Sequence, residues 1–336
     1  MKNKDEIILS IIIPELNGCK TIDKCLNSIY NQNVDLNLFE IISVDDKSTD
    51  NISIDYIEEN YVQKEKFKNF RFLKNSENLH IGGARNKGIE NASGTWILFL
   101  DCDDYLNCNV LMNLIVFIQH HDELDMVVYD FTTPYKPHNN IGLSTHMMSG
   151  PNFVQTQNIP WNAWCYVYNK DFIKRNKLRF VEKVSFEDVD FVFKCIWHSD
   201  KIQFFDLSIL FYEQYLEQTS KIYANFKKAE DIFRLTLRLK NFANEIKGKD
   251  EESSNVIFKH HYFMYLHNLY FIWRFNYSQM LYLLKTYPAE GNNKNISPLI
   301  LTSIKCPHFL CFLMLLFKPF LIIIARAKRK IDVSRQ

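Results

Sequence analysis

Residues 99–106 read FLDCDDYL, which places three aspartates within four positions, directly after the apolar run WILFL at 96–100. Carboxylates this close repel each other, and burial strengthens the repulsion. A cation, a ring of donors or open solvent must compensate. Mg2+ and Mn2+ take few protein oxygens and complete their shell with water and substrate phosphates. The short acid cluster therefore suits a metal–diphosphate complex. The ordinary alternative is that the acids cap the next helix at a solvated strand end. A second acidic stretch, VDDKSTD at 44–50, also closes an apolar run, so the clusters face each other if the two runs are neighbouring strands.

The surrounding pattern makes them neighbours. ILSIII (8–13), FEIISVDD (39–46), FRFLKN (70–75) and TWILFL (95–100) read as short buried strands. Between them lie helical patterns at 21–32, with Thr21 as N-cap, at 48–63, and at 82–92, which opens on Gly82 and Gly83. Such alternation predicts a mostly parallel sheet covered by helices, an α/β fold. Ligands of these sheets bind beyond the carboxyl ends of the strands. PELN, DDKSTD and DCDD all fall there. A helix at 107–118 and a strand at 126–131 follow, then a polar loop, 133–150, read as a lid or acceptor loop. VSFEDVDFVFKCIWHS (184–199) begins with acids and continues as a helix, and from about 221 the pattern is mostly helical and aromatic.

The bulk composition excludes several classes. With 336 residues, 47% of them hydrophobic, the chain can bury a sizeable core. A net charge of +1 gives no field for nucleic acid. Eight cysteines without a CxxC pair, in a chain whose start reads as a strand and not a secretory signal, predict free thiols and no zinc site. There is no GxxxxGK[ST] phosphate loop and no GxGxxG after the first strand. Residues 309–330, FLCFLMLLFKPFLIIIARAKRK, are apolar but broken by Lys318 and Pro319, and no Asp or Glu occurs between Gly291 and Ile331. That pattern reads as an interfacial anchor on anionic lipid more than as a membrane span. A buried helix pair is the competing reading.

SIIIPELN (10–17), VDDKSTDN (44–51), NLHIGGARNKGI (78–89), GTWILFLDCDDYL (94–106) and FEDVDF (186–191) occur in that order. As an ordered set they resemble the family 2 glycosyltransferases of GT-A fold, over roughly residues 7–220. The resemblance implies a catalytic domain over 1–220 and inverting transfer of a hexosyl or N-acetylhexosaminyl group from a nucleotide-sugar, usually a UDP-sugar; it does not cover 221–336, which the residue pattern alone reads as a helical region with a membrane-associating tail at about 299–330. It implies that Pro14, Glu15 and Leu16 line the base and that Asp46, or Asp45, accepts from the uracil N3–H. Asn78, Asp101 and Cys102 complete the donor site with Arg85, whose fork fits a phosphate or an Asp and could equally serve only to clamp the acidic loops. Asp103, with Asp101, holds Mn2+ or Mg2+. Asp188 is the general base and Glu187 its neighbour. Trp161 and Trp164 stand where a glycan or lipid-linked glycan acceptor approaches. The implied setting is surface polysaccharide or lipopolysaccharide synthesis on the cytoplasmic face of a membrane. Glu15, Leu16 and the Arg-free stretch 211–220 depart from the family pattern. They motivate the alternative of a degenerate, non-catalytic nucleotide- or glycan-binding protein in a membrane assembly.

Overall fold

A computed structural model describes residues 7–18, 20–49, 55–63, 68–135, 142–213, 225–289 and 298–318. The chain divides into two compact units, Met1–Leu216 and Glu217–Gln336.

The first unit is built on one eight-stranded sheet of order β3-β2-β1-β4-β7-β6-β8-β5. Its strands are β1 (Leu9–Glu15), β2 (Phe39–Asp45), β3 (Phe70–Lys74), β4 (Trp96–Phe99), β5 (Tyr105–Leu106), β6 (Met126–Thr132), β7 (Tyr166–Asn169) and β8 (Ile202–Phe211). The first four are parallel, with Ile11 of β1 in register with Ile41 on one side and Leu98 on the other. All seven residues of β1 and of β2 are buried, as continuous β-branched runs covered on both faces should be. The helix His80–Asn91 lies so close to β1 that a Cβ on Gly88 would stand 2.3 Å from Ile12 Cγ2. Only glycine allows that approach.

The other half of the sheet is mixed. β7 runs antiparallel to both β4 and β6, β8 is parallel to β6, and β5 is antiparallel to β8. The sequence pattern gave no hint of β8. Asp206 and Ser208 interrupt its alternation, and the register with β6 shifts on both sides of Asp130, so the two-residue period breaks there. The loop expected over 133–150 is tethered at its far end. Met148 bridges to Ile202, and a short helix, Gly150–Thr156, begins at Ser149, which accepts from the Asn152 N–H. Residues 136–141 of that loop lie outside the described residues. Thr21 stands at a helix start but does not cap it; its hydroxyl donates to the Gly18 carbonyl instead.

The second unit is helical: Phe226–Ile246, Glu251–Ile272, Tyr277–Thr286, Pro298–Lys305 and a further helix over 307–318. Phe233, Tyr265, Leu269, Met280, Leu283 and Ile300 form its core. Asn276 and Gln279 make a reciprocal capping box at one helix start. His261 is buried with Nδ1 2.7 Å from the Thr236 carbonyl, and burial pushes its pKa down to about 4. It is a neutral core histidine. Every described cysteine is a free thiol; Cys19 lies outside the described residues. Among the described residues no helix is long and apolar enough to cross a membrane.

Candidate active site

The loops that leave β1, β2 and β4 meet at the carboxyl edge of the sheet and are laced together. The Asp46 N–H donates to the Glu15 carbonyl at 2.8 Å. The Asn17 N–H donates to Ser48 Oγ and the Thr49 N–H to Asn17 Oδ1, both at 2.9 Å. Glu15 Oε1 accepts from the Gly18 N–H at 2.8 Å, so Glu15 shapes its own turn from a buried position, while Leu16 is exposed. A Cβ on Gly18 would lie 3.1 Å from Cys102 Sγ, which brings the acidic loop after β4 against the loop after β1. Asn17 and Lys47 both have positive φ, 54° and 66°, the tight geometry such crossed loops need.

Asp46 is held firmly but incompletely. Its Oδ1 accepts from Asn75 Nδ2 at 2.8 Å and from the Leu79 N–H at 2.9 Å, while the buried Oδ2 has no protein partner. Burial raises its pKa, against the pull of those two donors. An incoming N–H would satisfy the open oxygen. Asp45 Oδ1 accepts from the Ser48 N–H, and exposed Asn78 accepts from the His80 N–H through its Oδ1.

Arg85 joins the two halves of the site. Its guanidinium is 1% exposed, edged by the rings of Phe99 and Phe180 at 5.6 and 5.3 Å. It donates to Asp101 Oδ1 at 2.8 Å, to Glu187 Oε1 at 3.0 Å, and to Asp188 Oδ1. Burial alone would lower the arginine's pKa; Asp188, Asp101 and Glu187 outweigh it and raise it. Of the two readings the sequence left open for Arg85, these contacts are those of a clamp on the acidic loops. The glycines at 82 and 83 likewise meet protein: a Cβ on Gly82 would stand 2.6 Å from the Val181 carbonyl and 2.9 Å from Glu187 Cγ. Asn86 fixes the same crossing, exchanging hydrogen bonds of 2.9 and 3.1 Å with the Phe180 backbone.

Glu187 and Asp188 do not cap the helix they open; the N-cap position, Glu187, makes no side-chain cap. Burial, with the adjacent Asp188, pushes the Glu187 pKa well above the usual carboxylate range, against the pull of Arg85, and Glu187 shares a hydrogen bond with Asp188. Burial raises Asp188 too, but Arg85, the Ala163 N–H and Glu187 all favour its charged form. Of the two, Asp188 is the one whose charged form the surrounding donors support. Phe186, just before them, has φ 67°. For an aromatic residue this left-handed conformation costs on the order of 1–2 kcal/mol, and such outliers gather at functional sites.

Asp104 is 1% exposed. Its Oδ1 accepts from the Glu213 N–H at 2.8 Å, tying the acidic loop to the segment after β8. Burial, then Asp101 and Asp103, push its pKa up to about 9. The acidic turn, through Asp101, and the pair Glu187–Asp188 thus share one guanidinium. That balance, and the half-buried position of Asp103, fit a divalent cation. Among the described residues no three His, Cys, Asp or Glu side chains could hold a metal ion by themselves. A cation here needs oxygens from its co-ligand.

Trp161 is half-buried, its ring 6.3 Å from Phe193. Trp164 is 3% exposed, stacked on Tyr212 at 5.3 Å and edge-on to Phe131 at 4.9 Å. Tyr212 and Phe131, both half-buried, were not singled out from the sequence, which gives an isolated aromatic no address in space. Residues 214–220 of the Arg-free stretch lie outside the described residues.

A mixed sheet whose strand ends carry a laced two-loop cradle, an acidic turn and a buried acid pair beside an arginine is the catalytic architecture of a GT-A domain. The chain belongs to glycosyl transferase family 2, whose model matches residues 10–181, about half of the chain. Among curated proteins it is 40% identical over 105 residues to a poly(ribitol-phosphate) beta-glucosyltransferase of Bacillus spizizenii, 31% of this chain and 16% of that one. It is 27% identical over 260 residues to the poly(ribitol-phosphate) beta-N-acetylglucosaminyltransferase TarS of Staphylococcus aureus, 75% of this chain and 44% of that one. The chain thus spans less than half the length of either relative. The crystal structure of TarS 1–349 with UDP-GlcNAc shares the fold with a TM-score of 0.60 at 21% identity, over 84% of this chain and 82% of that one. So does a mannosyltransferase from Pyrobaculum calidifontis in complex with GDP-Man and Mn2+, with a TM-score of 0.57 at 14% identity, over 96% of this chain and 87% of that one.

Proposed function

We propose that the chain transfers a hexosyl or N-acetylhexosaminyl group, with inversion, from a UDP-sugar to a hydroxyl of a glycan. The observation that carries this reading is the Arg85 cluster, which sets the acidic turn and the Asp188 carboxylate around one buried guanidinium. Asp46 Oδ2 accepts from the base N3–H, and the backbone of Pro14, Glu15 and Leu16 lines the base. Asp101 and Cys102 border the donor. Asp103, with Asp101, would hold Mn2+ or Mg2+ together with the donor diphosphate, and the ion would supply positive charge to the departing phosphate oxygens. Asp188 takes the acceptor proton as the acceptor oxygen bonds to the sugar C1 and the C1–O bond to the diphosphate breaks on the opposite face. Its raised pKa makes it a stronger base than an ordinary aspartate. Glu187, hydrogen-bonded to Asp188, fixes it in place. Trp161, Trp164 and Tyr212 form the acceptor side.

Two relatives named for transfer to poly(ribitol-phosphate) support a surface glycan as acceptor. A lipid-linked glycan, met by an enzyme lying on the cytoplasmic face of a membrane, suits the basic apolar tail. The test is a melting-temperature panel of UDP, GDP, CDP and dTDP, each with Mn2+ and with EDTA. A ligand at 100 times its Kd stabilises by about 2.7 kcal/mol. A metal-dependent shift for UDP, followed by acceptor-dependent UDP release from a UDP-sugar, is the expected result. A shift without turnover on any acceptor would mark a binding protein instead, and no shift with any nucleotide would sink both.

A further inference from the structure

The helix over 307–318 has two apolar faces where a surface helix needs one. Leu310, Cys311 and Met314 face the core of the helical unit. On the opposite side Phe309, Phe312 and Leu316, spaced i, i+3, i+7, are 55%, 58% and 57% exposed. Their spacing gathers them into one stripe along the helix. An outward stripe of large apolar side chains marks an interaction surface.

The charges around it select the occupant. Lys305 and Lys318 flank the helix, and Arg326, Lys328, Arg329 and Lys330 follow in the sequence. No Asp or Glu occurs from residue 291 to 331. A protein partner is ordinarily met by both signs of charge, whereas an anionic bilayer asks for basic residues alone. Among the described residues no helix is long and apolar enough to cross a membrane, and a helix with one apolar face on a protein core and another turned outward is suited to lie flat on a leaflet.

We infer that Phe309, Phe312 and Leu316 insert into the interface of an anionic lipid leaflet, with the flanking lysines at the headgroups. This gives the membrane setting proposed above its contact residues; it rests on that reading for its purpose only. The closing experiment is sedimentation of the full chain with phosphatidylcholine vesicles, with and without phosphatidylglycerol. The chain should bind the mixed vesicles, less so as salt rises, and Phe312→Asp should lower the partition coefficient about tenfold or more with an unchanged melting temperature. Should that variant fail to fold, Phe312→Trp gives a second measure, since brominated lipid should quench its added fluorescence. Undiminished binding by Phe312→Asp, equal binding to neutral vesicles, or an unquenched tryptophan would overturn the assignment. So would a Phe312→Asp chain that passes from dimer to monomer and still binds vesicles, because the stripe would then cover a second copy. A chain that binds vesicles but no nucleotide defeats the transferase reading and leaves this one standing.

Discussion

The two halves of the sheet are built by different means. From β3 to β4 the strands are parallel, and their end loops are tied by backbone and short side-chain hydrogen bonds, as between Asn17, Ser48 and Thr49. From β7 to β5 the strand directions mix, β6 and β8 slip register at Asp130, and aromatic rings fill the gaps: Tyr105 on Phe211, Trp164 on Tyr212. Hydrogen-bonded turns fix atoms to a few tenths of an ångström and tolerate few sequences. Packed rings can be exchanged for others of similar volume. The first half suits a cradle for an invariant ligand such as a nucleotide. The second suits a surface that differs between acceptors. Arg85 spans the divide.

Substitutions can break this division. The largest effect should come from Asp188→Asn, which removes the base and leaves the cradle: kcat falls by about 10²–10⁴-fold, while UDP still raises the melting temperature as in the parent. Loss of UDP binding as well would mean that the halves are not separable. Arg85→Met leaves three carboxylates around an apolar side chain, and breaking a buried ion cluster from one side costs about 3–5 kcal/mol. The missing cation raises the carboxylate pKa values, so the deficit should be full at neutral pH and shrink as the pH falls and the carboxylates protonate. Urea melts at pH 7 and 5 would show it; a deficit independent of pH would assign Arg85 to packing alone. Asp46→Asn sets an NH2 opposite the base N–H and should weaken UDP about tenfold to a hundredfold, since a hydrogen bond to a charged group is worth about 1.5–3 kcal/mol, with acceptor KM unchanged. The smallest effect is expected at Tyr212→Ala. Loss of the stacked ring, worth about 1 kcal/mol, should raise acceptor KM severalfold and leave the donor untouched.

The same division governed what the sequence could show. β1, β2 and β4 were legible because strands buried on both faces are continuous apolar runs; β3, half-buried at the sheet edge, was legible from its short apolar run alone. β8 was not, because a register slip inverts the period on which such reading depends. The tether at Met148 was hidden for the same reason, since its partner is in β8. At the site, the residue types announced the acids after β4 and at 187–188, and an ordered set of motifs gave them roles. The letters left open whether Arg85 would serve a phosphate or clamp the acidic loops, and could not tell that it would meet Asp101, Glu187 and Asp188 at once, because residue types carry no distances. Nor did they reveal the left-handed backbone at Phe186, which contradicts the preference of the residue itself.

The shared guanidinium has a thermodynamic corollary. Asp101 and Asp188 draw on one counter-charge, so what happens at either is felt at the other. A cationic ligand on Asp101 leaves more of the arginine's field for Asp188 and weakens its hold on a proton. Reciprocity then requires that a proton on Asp188 weaken the ligand by the same factor. Donor loading and proton binding are thus antagonistic partners in one equilibrium, and donor affinity should climb with pH through the range in which Asp188 titrates. On the proposed function, the base would be readied by the arrival of the donor, with no moving part.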